Sequence, residues 1–403
     1  MKLTRELKSA LALGSMCIIS YLGCYMARNL LSVVTPEMVE ETSFTVESIG
    51  ALSTIYMVVY ALGQLVNGRI GDIFRAKWLV GAGLALSGVC NLLMPVFDSV
   101  TVLSLVYGAS GLFQSMIYAP LMRSIAENTL PDHARRCCLG FTLASFLGTP
   151  AASLVAMLFN WEIAFWVCGG ILVFLGICCY TAFDIFERRG IVSYKKTDSG
   201  KTSQPFNLPL LIKRGIIKFT AVSILTGIIR TSVVFWTPTY LTDYLGYPKD
   251  TAALIFSVIS IIITANPYVT ILFLYEKIFH RNMNLSLLTT FSISTASFVG
   301  VFIVNQPVVN MILMTVALFF AGCAATLLFS VWCPGLSDTG MVSFATGIVD
   351  AASYLGAGVA NLLFANAINA IGWNRLIVVW AALMGVGIFT AIPYGKIYNR
   401  GKK

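Results

Sequence analysis

The sequence predicts an all-α membrane protein in which twelve transmembrane helices form two six-helix bundles. Of its 403 residues, 57% are hydrophobic and only 11% are charged, whereas a soluble domain usually carries about 25% charged residues. The mean hydropathy is +0.82. A helix needs about 20 apolar residues to cross a bilayer, and runs of this kind follow one another along the chain. These observations leave little mass for a soluble domain.

Apolar runs separated by glycine, proline or charged residues mark the twelve helices. The polar and basic stretch 187–215 divides them six from six, and we expect it to be a linker loop between one bundle at 1–186 and another at 216–403. Basic residues precede the first run as in a signal peptide, but no small-residue cleavage site follows, which favours an uncleaved first helix. The predicted helices are 10–35, 49–71, 78–96, 101–126, 138–160, 162–186, 216–241, 250–274, 285–304, 308–333, 341–371 and 373–395.

The distribution of lysine and arginine predicts the orientation in the membrane. Apart from Arg28 and Arg230, nearly all of the 27 Lys and Arg residues fall at the termini, in 187–215 and on alternate connections. Only Lys249 and Arg375 fall on the opposite set. Because basic residues mark cytoplasmic segments, we expect both termini and the linker to face the cytoplasm of a cell membrane. The net charge of +9 then reflects contact with anionic lipid, and no basic, aromatic-rich surface indicates nucleic-acid binding.

The two halves of the sequence repeat each other. Arg28 and Arg230 both lie inside the first helix of their half, and Asp72 and Glu276 both follow the second helix. Internal repeats of this kind are typical of secondary transporters, which bind substrate near the bilayer midplane where the repeats meet. We therefore expect two pseudo-symmetric bundles with a binding site at their interface.

Arg28 and Arg230 are costly residues to place inside membrane spans, at about 2.5–3.5 kcal/mol each near the bilayer centre. Each could extend to the interface or pair with a buried carboxylate. Alternatively, both could face a water-filled cavity and bind an anion, which their equivalent positions favour. A guanidinium stays charged and holds an oxyanion through two parallel hydrogen bonds. Two guanidinium groups therefore suit a phosphate or a dicarboxylate.

Other polar side chains recur at helical spacing in the predicted spans. A single residue of this kind is better explained by a hydrogen bond between helices. The whole set, taken together with Arg28 and Arg230, predicts the lining of a polar cavity. The predicted lining residues are Tyr21, Tyr25, Tyr60, Gln64, Gln114, Tyr118 and Tyr354.

Asp350 is the only acidic residue deep within a predicted span. Burial disfavours its charged form, whereas a nearby arginine favours it. We expect Asp350 to couple substrate binding to closure, either by taking up a proton or by releasing an arginine to the substrate. The alternative is a fixed ion pair or a helix cap.

Two stretches, Tyr25–Arg28 in the first predicted helix and Arg230–Leu241 in the seventh, resemble motifs of the organophosphate:phosphate antiporter family of the major facilitator superfamily. Tyr25-Met-Ala-Arg28 resembles its first-helix Tyr-x-x-Arg motif, and the stretch RTSVVFWTPTYL, which begins at Arg230, resembles its seventh-helix motif. The resemblance implies the major facilitator fold and a phosphate clamp formed by Arg28 and Arg230. The stretch GRIGDIFRAK resembles the superfamily's loop motif, which implies a gate-stabilising role for Asp72, with Arg75 in the same motif.

The sequence also departs from the glycerol-phosphate members of that family. It has Gln64 where they carry a lysine, Asn29 where a second lysine follows the first arginine, and Phe235 where they carry an acid. The predicted cavity is therefore less cationic than theirs.

These observations predict a secondary active transporter of a small organic anion. The expected substrate is a phosphorylated sugar or polyol, exchanged for inorganic phosphate by alternating access. One alternative is a proton-coupled symporter of carboxylated metabolites with Asp350 as the proton carrier, and another is a non-transporting sensor of sugar phosphate. We expect a functional monomer that is not an enzyme and needs no cofactor or metal, since the ten cysteines show no metal-binding spacing.

Overall fold

The computed structural model describes residues 5–194 and 207–391, and every regular element in these ranges is helical. Twelve stretches within them are long and apolar enough to cross a membrane. The predicted all-α membrane fold with twelve spans is therefore confirmed. Both chain termini and the central part of the 187–215 loop, on which the orientation prediction partly depends, lie outside the described residues.

The spans agree with the predicted helices in number and order. The fifth span starts earlier than predicted because Pro131 occupies its first turn, where proline is favoured. The charged residues that follow belong to the helix although they lie outside the apolar run. The spans are Glu6–Thr35, Ser48–Ile73, Ala76–Val96, Val100–Asn128, Pro131–Leu158, Trp161–Arg188, Ile216–Tyr244, Leu254–Ile278, Met283–Ile303, Pro307–Leu336, Val342–Ala360 and Ala370–Ala391.

One short helix lies outside the twelve spans, and one helical stretch joins the last two of them. A short helix, Leu208–Lys213, precedes the seventh span. The last two spans belong to the helical stretch Val342–Ala391. The backbone of Gly372 leaves the helical conformation, with a φ of 76°. Only glycine adopts this left-handed conformation without steric cost, so the helix breaks at Gly372, within the first turn of span twelve.

Capping side chains define the first residue of several spans. Thr45 Oγ1 accepts a hydrogen bond from the backbone N–H of Ser48 at 3.2 Å, and Ser48 Oγ accepts one from Thr45 N at 3.0 Å. This reciprocal pair is a capping box. Asn160, Asn282 and Gln306 each accept a hydrogen bond from the backbone three residues onward. The caps satisfy amide groups that a helix leaves without internal partners at its start.

The seventh, eighth and tenth spans contain π-helical segments. They are Ile228–Val233 and Tyr240–Tyr244 in the seventh span, Val269–Ile278 in the eighth and Leu328–Trp332 in the tenth. Such wide turns are rare and are frequently found at functional sites. One of them contains Arg230.

The described residues form two compact units. The first unit comprises the residues up to Arg214 together with Ser330–Ala351, and the second comprises Gly215–Phe329 and the residues from Ala352 onward. The start of span eleven therefore packs with the first unit, and the remainder of that span packs with the second.

Close helix packing brings spans two and eleven together within the first unit. A Cβ atom added to Gly347 would lie 3.0 Å from the Cα of Gly68 and would also meet the carbonyl oxygen of Gln64. The two backbones touch here, because neither glycine carries a side chain. This contact places the polar side chains of span two beside Asp350.

Span seven contacts span eleven in the same manner within the second unit. A Cβ atom on Gly227 would lie 2.7 Å from the carbonyl oxygen of Ser353. Further along, Ser232 Oγ donates a hydrogen bond to the carbonyl oxygen of Ala357 at 2.9 Å. Arg230 and Tyr354 therefore lie on two neighbouring helices.

Candidate functional site

Arg28 is buried among tyrosine side chains in the first unit. Arg28 is 8% exposed, and its Nε donates a hydrogen bond to the hydroxyl oxygen of Tyr56 at 2.9 Å. The guanidinium carbon lies 4.2 Å from the ring centroid of Tyr60 and 4.7 Å from that of Tyr25. A cation at such distances is attracted to an aromatic ring, so these rings compensate part of the cost of burying the charge.

Tyr56 connects Arg28 to Gln114. The Tyr56 hydroxyl donates to Gln114 Oε1 at 2.6 Å. The amide nitrogen of Gln114 donates to Ser87 Oγ at 3.2 Å and to Ser110 Oγ at 3.4 Å. Tyr56 is not among the predicted lining residues, although its spacing of four residues from Tyr60 places both on one face of the second span.

Asp350 is bound by two side chains of the second span. Tyr60 donates its hydroxyl to Asp350 Oδ2 at 3.2 Å, and Gln64 Nε2 donates to the same oxygen at 3.0 Å. Gln64 Nε2 also lies 2.7 Å from the Tyr60 hydroxyl. This arrangement joins the predicted lining residues of span two to the predicted coupling residue.

An aromatic cluster adjoins the arginine on the side of the first span. The ring of Tyr21 stacks on that of Tyr118 with centroids 5.1 Å apart, and it meets the ring of Tyr25 edge-on at 4.9 Å. Phe141 closes the cluster with its centroid 5.2 Å from that of Tyr21. The hydroxyl oxygens of Tyr21 and Tyr25 lie 3.5 Å apart.

Asp72 caps the helix of span eleven. Its Oδ1 accepts the backbone N–H of Ser343 at 2.8 Å, and its Oδ2 accepts that of Phe344 at 2.9 Å. Asp72 is 1% exposed. A carboxylate at a helix N-terminus satisfies amides that have no partner within the helix and interacts favourably with the helix dipole. The side chain is thus tied to the start of span eleven.

Arg75, in the connection between spans two and three, belongs to a group of ion pairs that joins this connection and span three to span six. Its NH1 lies 3.2 Å from Glu187 Oε2, and Lys77 Nζ lies 3.0 Å from the same oxygen. Lys77 Nζ also lies 2.8 Å from Asp184 Oδ1. The Arg75 side chain is 51% exposed, so its own pair contributes little to stability.

Arg230 and Tyr354 are the predicted site residues of the second unit. Arg230 is exposed and lies in the π-helical segment Ile228–Val233, and Tyr354 is half-buried. The first unit brings nearly all the other predicted site residues into contact around Arg28, whereas Asp72 and Arg75 form separate contacts. The residues around Arg28 are Tyr21, Tyr25, Tyr60, Gln64, Gln114, Tyr118 and Asp350.

No group of three or more His, Cys, Asp or Glu residues within 5–194 and 207–391 has the arrangement of a metal site. The polar groups gathered in the first unit are instead guanidinium, hydroxyl and amide groups around one carboxylate. Such a set offers hydrogen-bond donors and a positive charge.

The family comparison covers most of the chain. The Major Facilitator Superfamily model matches residues 17–340. The membrane sensor protein UhpC of Escherichia coli strain K12 is 21% identical over 411 residues, which cover 93% of this chain and 90% of that protein. Sugar phosphate exchanger 3 of Mus musculus is 23% identical, covering 89% of this chain and 81% of that protein. The glycerol-3-phosphate transporter of Bacillus subtilis strain 168 is 22% identical, covering 58% of this chain and 57% of that protein.

Solved structures agree on the fold. The outward-conformation crystal structure of the transporter FucP has a TM-score of 0.73 at 11% identity and covers 95% of this chain and 98% of that chain. The crystal structure of the human organic anion transporter MFSD10 has a TM-score of 0.72 at 12% identity. It covers 95% of this chain and 99% of that chain. At such identities the likeness shows the fold alone. Because the family model matches residues 17–340, the chain belongs to the Major Facilitator Superfamily, and its relatives are those expected of the organophosphate:phosphate antiporter family within it.

Proposed function

We propose that this protein is a secondary active transporter that exchanges a phosphorylated sugar or polyol for inorganic phosphate by alternating access. Arg28 and Arg230 bind the anion. The protein is a membrane carrier and not an enzyme.

The burial of Arg28 is the observation that carries the proposal. A guanidinium that is 8% exposed in a membrane span is expensive unless it is compensated. The compensation includes the ring faces of Tyr25 and Tyr60 and the hydroxyl group of Tyr56. The names of the relatives, a glycerol-3-phosphate transporter and a sugar phosphate exchanger, support phosphate as that anion.

Arg230 supports the same conclusion from the second unit. An exposed arginine inside a span is tolerated when it faces water or a polar partner and not lipid. Arg230 lies in the repeated position of Arg28, and a second guanidinium matches the second negative charge of a phosphate monoester.

A reconstituted exchange assay tests the proposal. Liposomes containing the purified protein and radiolabelled phosphate are diluted into buffer with glycerol 3-phosphate, glucose 6-phosphate, a dicarboxylate or no solute. We expect the phosphorylated solutes to accelerate phosphate release, and we expect the Arg28→Lys variant to need much more solute. The matched control is Arg189→Lys, an exposed arginine at the end of span six, which should behave as wild type.

The same assay separates the two alternatives. Uptake of a carboxylated solute that requires an inward proton gradient, with no phosphate release, would establish the proton-coupled symporter. The relationship to UhpC, which is named a membrane sensor protein and covers 93% of this chain, favours the sensor as the second candidate. A sensor would bind sugar phosphate without any flux.

A further inference from the structure

A hydrogen-bonded chain runs from Arg28 into the interior of the first unit. Arg28 Nε donates to the Tyr56 hydroxyl at 2.9 Å, and that hydroxyl donates to Gln114 Oε1 at 2.6 Å. The chain therefore joins the first, second and fourth spans. All its hydrogen bonds are short and buried, with Tyr56 2% and Gln114 1% exposed.

The direction of each hydrogen bond in the chain follows from the surroundings of Gln114. Its Nε2 donates to Ser87 and Ser110, which orients the amide so that Oε1 faces Tyr56. The thiol of Cys24 donates to the same oxygen at 3.1 Å. A tyrosine hydroxyl has only one proton, and here that proton goes to Gln114. Tyr56 can therefore present only a lone pair to Arg28.

An anchored Nε restricts the guanidinium plane. The group is a rigid fork, so a hydrogen bond at Nε, together with the rings of Tyr25 and Tyr60 at 4.7 and 4.2 Å from the guanidinium carbon, restricts where its terminal nitrogens point. Bidentate binding of an oxyanion depends on this direction as well as on charge. A guanidinium held before the anion arrives loses less conformational entropy on binding.

We propose that Tyr56, oriented by Gln114, is a positioning residue that sets the plane of the Arg28 guanidinium for anion binding. This inference rests on the proposed function, because it takes Arg28 to bind the substrate anion. It assigns to Gln114 a role that differs from the substrate contact predicted by the sequence. Both acceptor contacts and both donor contacts of its amide are made to protein groups.

Two tyrosine-to-phenylalanine variants test the positioning role. Tyr107 is the matched control, because it is 3% exposed, its ring packs 4.9 Å from that of Tyr56, and its hydroxyl donates to the backbone oxygen of Arg28 at 3.1 Å. It does not hold the guanidinium. Tyr56→Phe should raise the half-saturating phosphate concentration in the exchange assay about tenfold. Its maximal exchange rate should stay within about twofold of wild type, as expected for lost binding of the ground state. Tyr107→Phe should leave the half-saturating concentration unchanged.

A second measurement reports on Arg28 without any transport. Hydrogen exchange at the Arg28 Nε–H, followed by NMR on 15N-arginine-labelled protein in nanodiscs, should be faster in Tyr56→Phe than in wild type and unchanged in Tyr107→Phe. If Tyr56→Phe does not fold, Gln114→Met removes the acceptor that orients Tyr56 and should accelerate the same exchange.

The two measurements can contradict the positioning role and the proposed function independently. Equal Nε–H exchange in wild type and Tyr56→Phe overturns the positioning role, whatever the phosphate flux shows. A wild-type protein that exchanges no phosphate overturns the proposed function, and the hydrogen-exchange comparison still decides whether Tyr56 positions Arg28. A half-saturating concentration that rises equally in both phenylalanine variants overturns the inference as well.

Discussion

Tyr60 donates its hydroxyl to Asp350 at 3.2 Å while the face of its ring carries the guanidinium of Arg28 at 4.2 Å. One side chain of span two therefore contacts both the proposed anion-binding residue and the predicted coupling residue. Electrostatic interactions are stronger in a buried environment than in water, because the local dielectric is lower. An anion that binds to Arg28 changes the electrostatic environment of Asp350.

Replacing Asp350 with asparagine should reduce exchange by about tenfold, the effect of losing one charged interaction of about 1.4 kcal/mol. The shape is retained, but the charge and the titration are removed, so the pH dependence of the rate should also change. The measurement is phosphate exchange between roughly pH 5 and pH 8, normalised to folded protein. The matched control is Asp98→Asn, an exposed acid between spans three and four. Wild-type exchange by Asp350→Asn at every pH would exclude a coupling role.

Lysine at either Arg28 or Arg230 should weaken phosphate binding by about tenfold to a hundredfold, because the charge stays but bidentate geometry is lost. Calorimetric titration of the purified variants with inorganic phosphate measures the change. If both Lys variants bind phosphate with wild-type affinity, the two arginines do not act as a clamp.

Removing the carboxylate of Asp72 should destabilise the protein. Asp72→Ala leaves the N–H groups of Ser343 and Phe344 without their acceptor, at a cost of about 1–3 kcal/mol for each buried group. Asp72→Asn keeps one acceptor oxygen and should lose less. Thermal unfolding in detergent measures both variants against Asp98→Ala, and an Asp72→Ala protein as stable as this control would contradict the capping role.

Alanine at Gly347 should destabilise the contact between spans two and eleven. Its Cβ would lie 3.0 Å from Gly68 Cα, and backbone atoms cannot move aside as a flexible side chain does. Overpacking of this kind costs about 1–3 kcal/mol. Gly358→Ala is the control on the same helix, where an added Cβ meets nothing within 4 Å and should stabilise the helix by up to about 1 kcal/mol. Equal melting temperatures for the two variants would show that the close approach is absent.

A cysteine introduced at Ser199, in the linker beyond the described residues, should not be labelled by a membrane-impermeant maleimide added to intact cells. The reason is the excess of basic residues in 187–215, which marks that segment as cytoplasmic. A cysteine at Ser43, exposed between spans one and two, should be labelled in the same experiment. The reverse pattern would invert the predicted orientation.

The composition and the periodicity of apolar runs were sufficient to predict the membrane class and the number and order of the spans. In lipid the backbone hydrogen bonds of each span must be made within the protein. A long apolar run therefore folds as a helix. The bounds were predicted less well where a helix extends beyond its apolar run, as at Pro131, since a charged turn outside the membrane carries no hydropathy signal.

The predicted site residues in the first unit were identified because polar side chains are conspicuous in apolar spans. Tyr56 was missed because a tyrosine in a span is equally compatible with packing, and its spacing of four residues from Tyr60 does not reveal a partner on another span. Its role depends on the hydroxyl of Tyr56 meeting Arg28 from another span.

The sequence by itself thus determined that this chain crosses a membrane twelve times and carries two arginines in equivalent spans, because hydropathy and charge are properties of the residues. Only the tertiary structure decided which groups surround those charges. It placed Asp350 against Tyr60 and Gln64, and it tied Asp72 to the start of span eleven. Such contacts join residues more than 200 positions apart, and their geometry arises from the close packing of helices at Gly68 and Gly347 and not from any local pattern.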